Sequence, residues 1–287
     1  MNKVHSIITD QIIKQLEAGK IPWRKPWGGV ENEPKNLISG KEYSGINFFL
    51  LSMLNMENPY FLTFKQAKLC GGNIKKGEKG FPIIFFKVTP KEKNLAGETT
   101  RDAYAMMRYY TVFNLSQCEN INPGKIPLIP DPEKLDFSPI EEAEKIANGY
   151  RGKPEIEFKH NQACYYPILD KINMPLQENF CGNGEYYSTL FHEFVHSTGH
   201  QKRLNRPEIV ESNYFGSSDY SKEELVAELG AAFLCSRAGI DNTLENSAAY
   251  IQRWLSKLKS KDNVKWIVEA GSKAQKAVNY IYNLERK

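Results

Sequence analysis

An α+β fold in two unlike parts, a small mixed domain followed by a mostly helical one, is what this sequence predicts. Three observations carry that expectation. The chain has 287 residues, more than an ordinary single domain. The stretch NPGKIPLIPDPEKLDFSP (122–139) holds five prolines in eighteen residues without a helical or strand period, which is the composition of an extended linker. Strand-like runs precede it, and from residue 186 the chain reads mostly as helices. The expected division is a domain over 1–121, a linker over 122–137 and a second domain over 138–287.

Taken in order, Val4, Ile7, Ile8, Ile12 and Leu16 recur at helical spacing and predict a helix near 4–18. A second helix is expected over 44–56, with Gly45 and Asn47 near its start. Thr63 is placed to cap a short helix ending at Gly71-Gly72. FPIIFFKV (81–88) and YAMMRYYTVFNL (104–115) read as strands joined by a polar, hairpin-like connection. Past the linker, Ser138 followed by Pro139 starts a helix through Asn148. Strands are expected at 155–159 and 163–170, then helices over 186–198, 221–238, 242–260 and 263–284.

Hydrophobic residues at 41%, aromatics at 12% and charged residues at 25% describe a globular chain and exclude collagen, a disulfide-stapled miniprotein and a mostly disordered chain. No run approaches eighteen apolar residues, and the charged N-terminus lacks a signal peptide's apolar core, so no membrane partner is expected. Cys70, Cys118, Cys164, Cys181 and Cys235 are odd in number and never form a CxxC pair, which suits reduced thiols in a cytoplasmic protein. Charge is uneven. Residues 1–130 carry 18 Lys and Arg against 11 Asp and Glu, while 131–287 carry 20 against 23. A basic first half points to a polyanionic partner.

The chemistry concentrates at His192-Glu193-Phe194-Val195-His196, an HExxH. On a helix, positions i and i+4 share a face, so the two imidazoles converge on one ion, the pattern of a zinc site. Glu193 then falls beside the open coordination position, where it can accept a proton from an attacking water. Tyr187, Leu190, Phe191, Phe194 and Val195 supply the apolar positions, and Gly199 ends the helix. Downstream, Ser221 is expected to cap SKEELVAELGAAFL, with Glu224 and Glu228 on one face. Two acids on a face otherwise lined by Leu225, Ala227, Ala231 and Ala232 are costly to bury without a cation or hydrogen-bonding partner. The preferred assignment makes Glu224 the third ligand and Glu228 the group that orients a ligand histidine; the reverse stays open. His200 competes for the third place but lies too near His196 for the longer HExxHxxGxxH pattern, and reads as an edge or structural histidine.

HEFVHSTGHQKRLNR followed by EELVAELGAAFL, with YYPILDKINMP (165–175) upstream, resembles the zincin-like metallopeptidase domain of the ArdC-type antirestriction proteins. The elements IPWRKPW, NLISGKEYSGINFFLL, FLTFKQAKLCGGNIKKGEKG and YYTVFNLSQCE are similar to the single-stranded-DNA-binding domain that this family shares with plasmid TraC-type primases. The resemblance covers nearly the whole chain. It implies a protein of a plasmid or other mobile element that shields incoming DNA from host restriction, with one zinc held by His192, His196 and Glu224. The implied chemistry is hydrolysis of a peptide bond in a host protein. Glu193 would serve as general base and pass the proton to the leaving amine, beside a zinc ion that polarises the carbonyl.

Binding single strands needs cations for phosphates and flat side chains for bases. Trp23, Arg24, Lys25 and Trp27 offer both within five residues. Lys75, Lys76 and Lys79 flank Gly77 and Gly80 in a turn rich in positive charge, and Lys41, Tyr43 and Asn47 form a third polar-aromatic group. Contact of this kind is sequence-nonspecific and steeply salt-dependent. Two other readings predict different behaviour. A DNA-coating protein with a structural or vestigial metal site would not need Glu193, and a primase or relaxase accessory would serve DNA delivery.

Overall fold

The computed structural model describes residues 3–19, 33–52, 54, 56, 58–89, 92–93, 99–101, 104–127, 139–211, 218–240, 248–260 and 265–284. Trp23, Arg24, Lys25 and Trp27, together with residues 128–138 of the linker region, lie outside the described residues. Among the described residues no helix is long and apolar enough to cross a membrane.

The architecture is α+β in two domains. Helix α1 (Lys3–Glu17) is followed by strand β1 (Lys35–Asn36), helix α2 (Ile46–Ser52), strand β2 (Tyr60–Thr63) and helix α3 (Phe64–Leu69). Thr63 caps α3 as expected. Its hydroxyl accepts from the Gln66 amide at 3.3 Å and the Gln66 side chain accepts from the Thr63 amide at 2.8 Å, a reciprocal capping box. Gly71 ends the helix with φ +82°, a backbone state open to a residue without Cβ. Then come β3 (Asn73–Ile74), β4 (Phe81–Thr89), β5 (Glu92–Lys93), β6 (Thr99–Arg101), β7 (Tyr104–Asn114) and β8 (Cys118–Glu119). Strands β4 and β7 pair antiparallel from Phe81↔Val112 to Thr89↔Tyr104, in a sheet of order β1-β2-β7-β4. Asn47 fastens α2 to this ribbon: its amide donates to the Ile84 carbonyl at 2.6 Å and accepts from the Ile84 amide at 2.7 Å.

The second half opens with α4 (Pro139–Gly149) and a three-stranded sheet of order β10-β11-β9, made of β9 (Glu155–Glu157), β10 (Cys164–Tyr166) and β11 (Lys171–Asn173). The expected strand over 163–170 is thus shorter, because the chain turns at Asp170 with φ +51° and returns as β11. Buried Asn173 holds the neighbouring loop, accepting from the Lys159 and His160 amides and donating to the His160 and Gln162 carbonyls. Helices α5 (Asn183–Thr198), α6 (Pro207–Val210), α7 (Ser218–Ala238), α8 (Ala248–Leu258) and α9 (Trp266–Ile281) complete the chain. Helix α7 starts before Ser221. That residue is not its cap but lies buried one turn inside, where Lys257 of α8 donates to its hydroxyl.

Packing joins the two halves. A continuous apolar core runs from Ile8, Ile12 and Leu16 of α1 and Ile46, Phe48 and Phe49 of α2 into α5, α7 and α9. Gly271 of α9 lies so close to Ile46 that a Cβ there would stand 3.2 Å from the Ile46 side chain. The Gln275 side chain accepts from the Gly45 amide across the same contact. A smaller core of Leu37, Leu62, Ala67, Cys70, Leu115 and Cys118 belongs to the first half alone.

Candidate metal centre

Helices α5 and α7 pack against each other, and Gly230 sets how near they come. A Cβ on Gly230 would stand 2.6 Å from Val195 Cγ2, below any tolerated approach. This intimacy brings the HExxH face of α5 against the acidic face of α7. His192 and His196 turn their Nε2 atoms toward each other at 3.0 Å. Glu224 closes the triangle, 3.4 Å from His196 Nε2 and 3.7 Å from His192 Nε2. The donor atoms of these three residues all lie within 4.8 Å of one another. Glu193, buried, lines the same cavity of about 400 Å³. Strand β10 supplies the facing wall through Cys164 and Tyr165, and Tyr220 and Glu208 complete it.

The electrostatics follow from crowding acids around two imidazoles in a largely buried site. Burial opposes the charged form of His196, but bonds to Glu223 and Glu224 outweigh it and hold the imidazole up at about 10. His192 is raised for the same reasons, burial being overcome chiefly by Glu224. Burial likewise opposes ionisation of Glu224, yet the two histidines hold its carboxyl well below the usual carboxylate range. Burial pushes the Tyr220 phenol up, reinforced by its hydrogen bond with Glu224.

The group that meets the far nitrogen of His196 is Glu223, at 3.3 Å from Nδ1. Arg206 in turn grips both oxygens of Glu223, its Nε donating at 2.9 Å, and donates to Thr198 Oγ1 and the Val195 carbonyl at 2.7 Å each. Both residues are buried. Neither was among the sequence candidates. Glu223 sits beside Glu224 rather than one turn from it, so the i, i+4 pairing of Glu224 with Glu228 gives no sign of it. Glu228 is buried, and its charge is felt by His192. His200 stands apart from the triangle, with Nδ1 3.6 Å from Asp170 and accepting from the Lys202 amide at 3.3 Å. Burial lowers its pKa, and Arg203 competes with it for Asp170.

The expected DNA-contacting residues separate. Lys41, Lys75, Lys76 and Lys79 are exposed, and Gly77 turns the lysine loop with φ +91°. Lys75 donates to the Ser116 carbonyl at 2.8 Å. Tyr43 and Asn47 are half-buried instead. The Tyr43 hydroxyl accepts from Asn36 and its ring meets Phe61 edge-on, while Asn47 is spent on β4.

Comparison with known proteins finds relatives of both halves of the chain. Residues 2–113 match the N-terminal domain of anti-restriction factor ArdC, and residues 141–273 match the zincin-like metallopeptidase family. The chain is 31% identical, over 99% of its length and 100% of the other chain, to the metal-free crystal structure of the antirestriction ArdC protein from plasmid R388, with a TM-score of 0.73. The Mn(II)-bound structure of that protein gives 32% identity over 97% of each chain and a TM-score of 0.74. An uncharacterized protein, y4eC of Sinorhizobium fredii, is 31% identical over 97% of this chain and 91% of its own length. A DNA primase TraC of Escherichia coli is 31% identical over 99% of this chain, which spans only 20% of that protein; a second TraC is spanned over 27%.

Proposed function

The chain belongs to the ArdC-type antirestriction family, and from that premise we propose that it is a single-stranded-DNA-binding antirestriction protein of a mobile element whose C-terminal domain is a zinc-dependent peptidase. The observation that carries the peptidase half is the triangle of His192, His196 and Glu224 with Glu193 in the same cavity. Donors held at about 2.0–2.2 Å around one tetrahedral zinc stand about 3.3 Å apart. The separations of 3.0, 3.4 and 3.7 Å therefore suit a single ion. Two imidazoles and a carboxylate also suit manganese, the ion held by the R388 relative.

When bound, the ion would supply Lewis acidity to a carbonyl oxygen. The remaining work belongs to the chain. Glu193 accepts a proton from water at its carboxylate and delivers it to the departing amine. Glu223 accepts from His196 Nδ1–H, which fixes the tautomer and aims Nε2 into the cavity, and Arg206 keeps Glu223 ionised against the pull of burial. Tyr220, bonded to Glu224, steadies the third ligand. The substrate is a protein of the host restriction machinery. DNA binding is supported by the basic first half, the exposed lysine turn and the relatives named for a primase.

Metal content by mass spectrometry tests the reading. Wild type should carry roughly one zinc per chain, Glu193→Ala and Glu228→Ala should keep it, and His192→Ala and Glu224→Ala should lose it. Loss in Glu228→Ala with retention in Glu224→Ala would reverse the ligand assignment. A chain that takes up neither zinc nor manganese would leave the non-proteolytic, DNA-coating alternative.

A further inference from the structure

We propose that the β4–β7 ribbon carries a base-stacking platform for single-stranded DNA, formed by Phe85 and Tyr110 with Arg108 beside them. The proposal rests on the single-strand reading above and names the surface that would contact the bases.

In the antiparallel register Ile83 faces Tyr110 and Phe85 faces Arg108. Residues directly opposite one another share a face of the sheet, so Phe85 and Tyr110 are diagonal neighbours on one side of the ribbon. Their rings meet edge to face, with centroids 6.1 Å apart at 84°. Phe85 is 52% exposed and Tyr110 43% exposed. Two large rings held against each other in water, rather than folded into the core, form an apolar patch of the kind that marks a binding surface. An edge-to-face pair leaves a flat ring face open, and a nucleobase needs such a face for stacking.

The platform is rigid at its root. Farther along the same face Ile83 and Phe81 pack with buried Val112, Phe61 and Leu51. On the other face Ile84 is buried, and Asn47 holds both its backbone groups. Pre-organised rings lose little freedom on binding.

The charge of the neighbouring segments favours one occupant. Segments 58–85 and 108–119 contain Lys65, Lys68, Lys75, Lys76, Lys79 and Arg108 against two acids, Glu78 and Glu119, and Glu78 accepts from Gln117 at 2.7 Å. Lys79 precedes β4, so Phe85 lies about 20 Å farther along the ribbon at strand rise. A single strand laid along β4 would thus meet the lysine turn with its phosphates and the ring pair with a base. An uncharged apolar partner would leave these cations unused, whereas a single-stranded polyanion with π-faces matches both features.

The test uses the full chain, a fluorescent dT oligonucleotide and an abasic oligonucleotide of the same length, each titrated at several salt concentrations. Phe85→Ala/Tyr110→Ala should bind dT about tenfold more weakly or worse. Its salt dependence should match wild type, because stacking involves no counterion release. Both proteins should bind the abasic strand equally, and Phe85→Trp should restore dT binding. Tyr109→Ala, paired with Ile84 on the opposite face, should leave dT affinity unchanged. Wild-type binding of dT with no loss in the double variant would overturn the platform while leaving the single-strand reading intact. Failure of wild type to bind dT would instead remove the single-strand reading, and the platform with it. A double variant weakened equally on both oligonucleotides would show a general structural effect and also overturn the assignment.

Discussion

The candidate metal centre and the lysine turn place charge in opposite environments. At the centre, Glu193, Glu223, Glu228, His196 and Arg206 are all buried, so each charge must be answered by a partner at hydrogen-bonding distance. In the turn, Lys75, Lys76 and Lys79 stand in solvent, where neighbouring charges interact weakly and mobile counterions screen them. The first arrangement fixes geometry to fractions of an ångström. The second leaves the lysine side chains in water, where a polyanion would be able to reach them. Substitutions should therefore register as lost stability and metal affinity in one region, and as altered salt dependence in the other.

The largest effect is expected at Arg206. Arg206→Met leaves the buried carboxylate of Glu223 without its cation and should cost about 3–5 kcal/mol in chemical unfolding. Pairing it with Glu223→Leu should recover part of that stability but not the metal affinity, expected to fall about 10- to 100-fold because His196 Nδ1 has lost its acceptor. Full recovery of metal binding in the double variant would refute the orienting role of Glu223.

Gly230→Ala comes next. The added methyl would collide with Val195, and the forced separation of α5 and α7 should cost about 1–3 kcal/mol. Weaker zinc binding should accompany that loss, since the histidines and Glu224 ride on the two helices. A variant that is destabilised yet binds zinc normally would show that the triangle tolerates helix movement.

The smallest effect on folding is expected in the turn. Lys76→Ala/Lys79→Ala should leave the unfolding midpoint unchanged. It should flatten the plot of log affinity for single-stranded DNA against log salt, by about 0.7 for each phosphate that a lysine no longer neutralises. An unchanged slope would mean that other cations of the chain meet the phosphates.

How much of this was legible in the sequence depends on how local each interaction is. The HExxH pair was legible because i and i+4 on one helix must share a face, whatever surrounds them. The cap at Thr63, the stop at Gly71 and the β4–β7 strands were legible for the same reason, each being decided within a few residues. Glu224 could be nominated, but its distance from the histidines could not, because a 28-residue separation between His196 and Glu224 says nothing of where two helices cross. Glu223 and Arg206 went unnoticed because an acid next to a nominated ligand and an arginine ahead of a proline carry no signal until Thr198, Val195 and His196 are brought beside them. Tyr43 and Asn47 read as DNA-contacting groups, and only the fold gives them internal partners, Asn36 and Phe61 for Tyr43 and β4 for Asn47. The Phe85–Tyr110 pair was hidden as well, because alternation along a strand does not tell which face a partner strand or core will cover.

The sequence by itself determined the α+β class, the basic first half and the two-histidine, one-glutamate motif on a helix, since these follow from composition, short-range spacing and backbone preference. Tertiary structure alone decided that α1 and α2 share a core with the helices of the candidate metal site. It also decided that Gly230 lets α5 and α7 close on one another and that Glu223 answers His196. Those outcomes depend on which surfaces meet. Burial is a property of the assembled core, where excluding water turns a scattered set of acids and histidines into a coupled site.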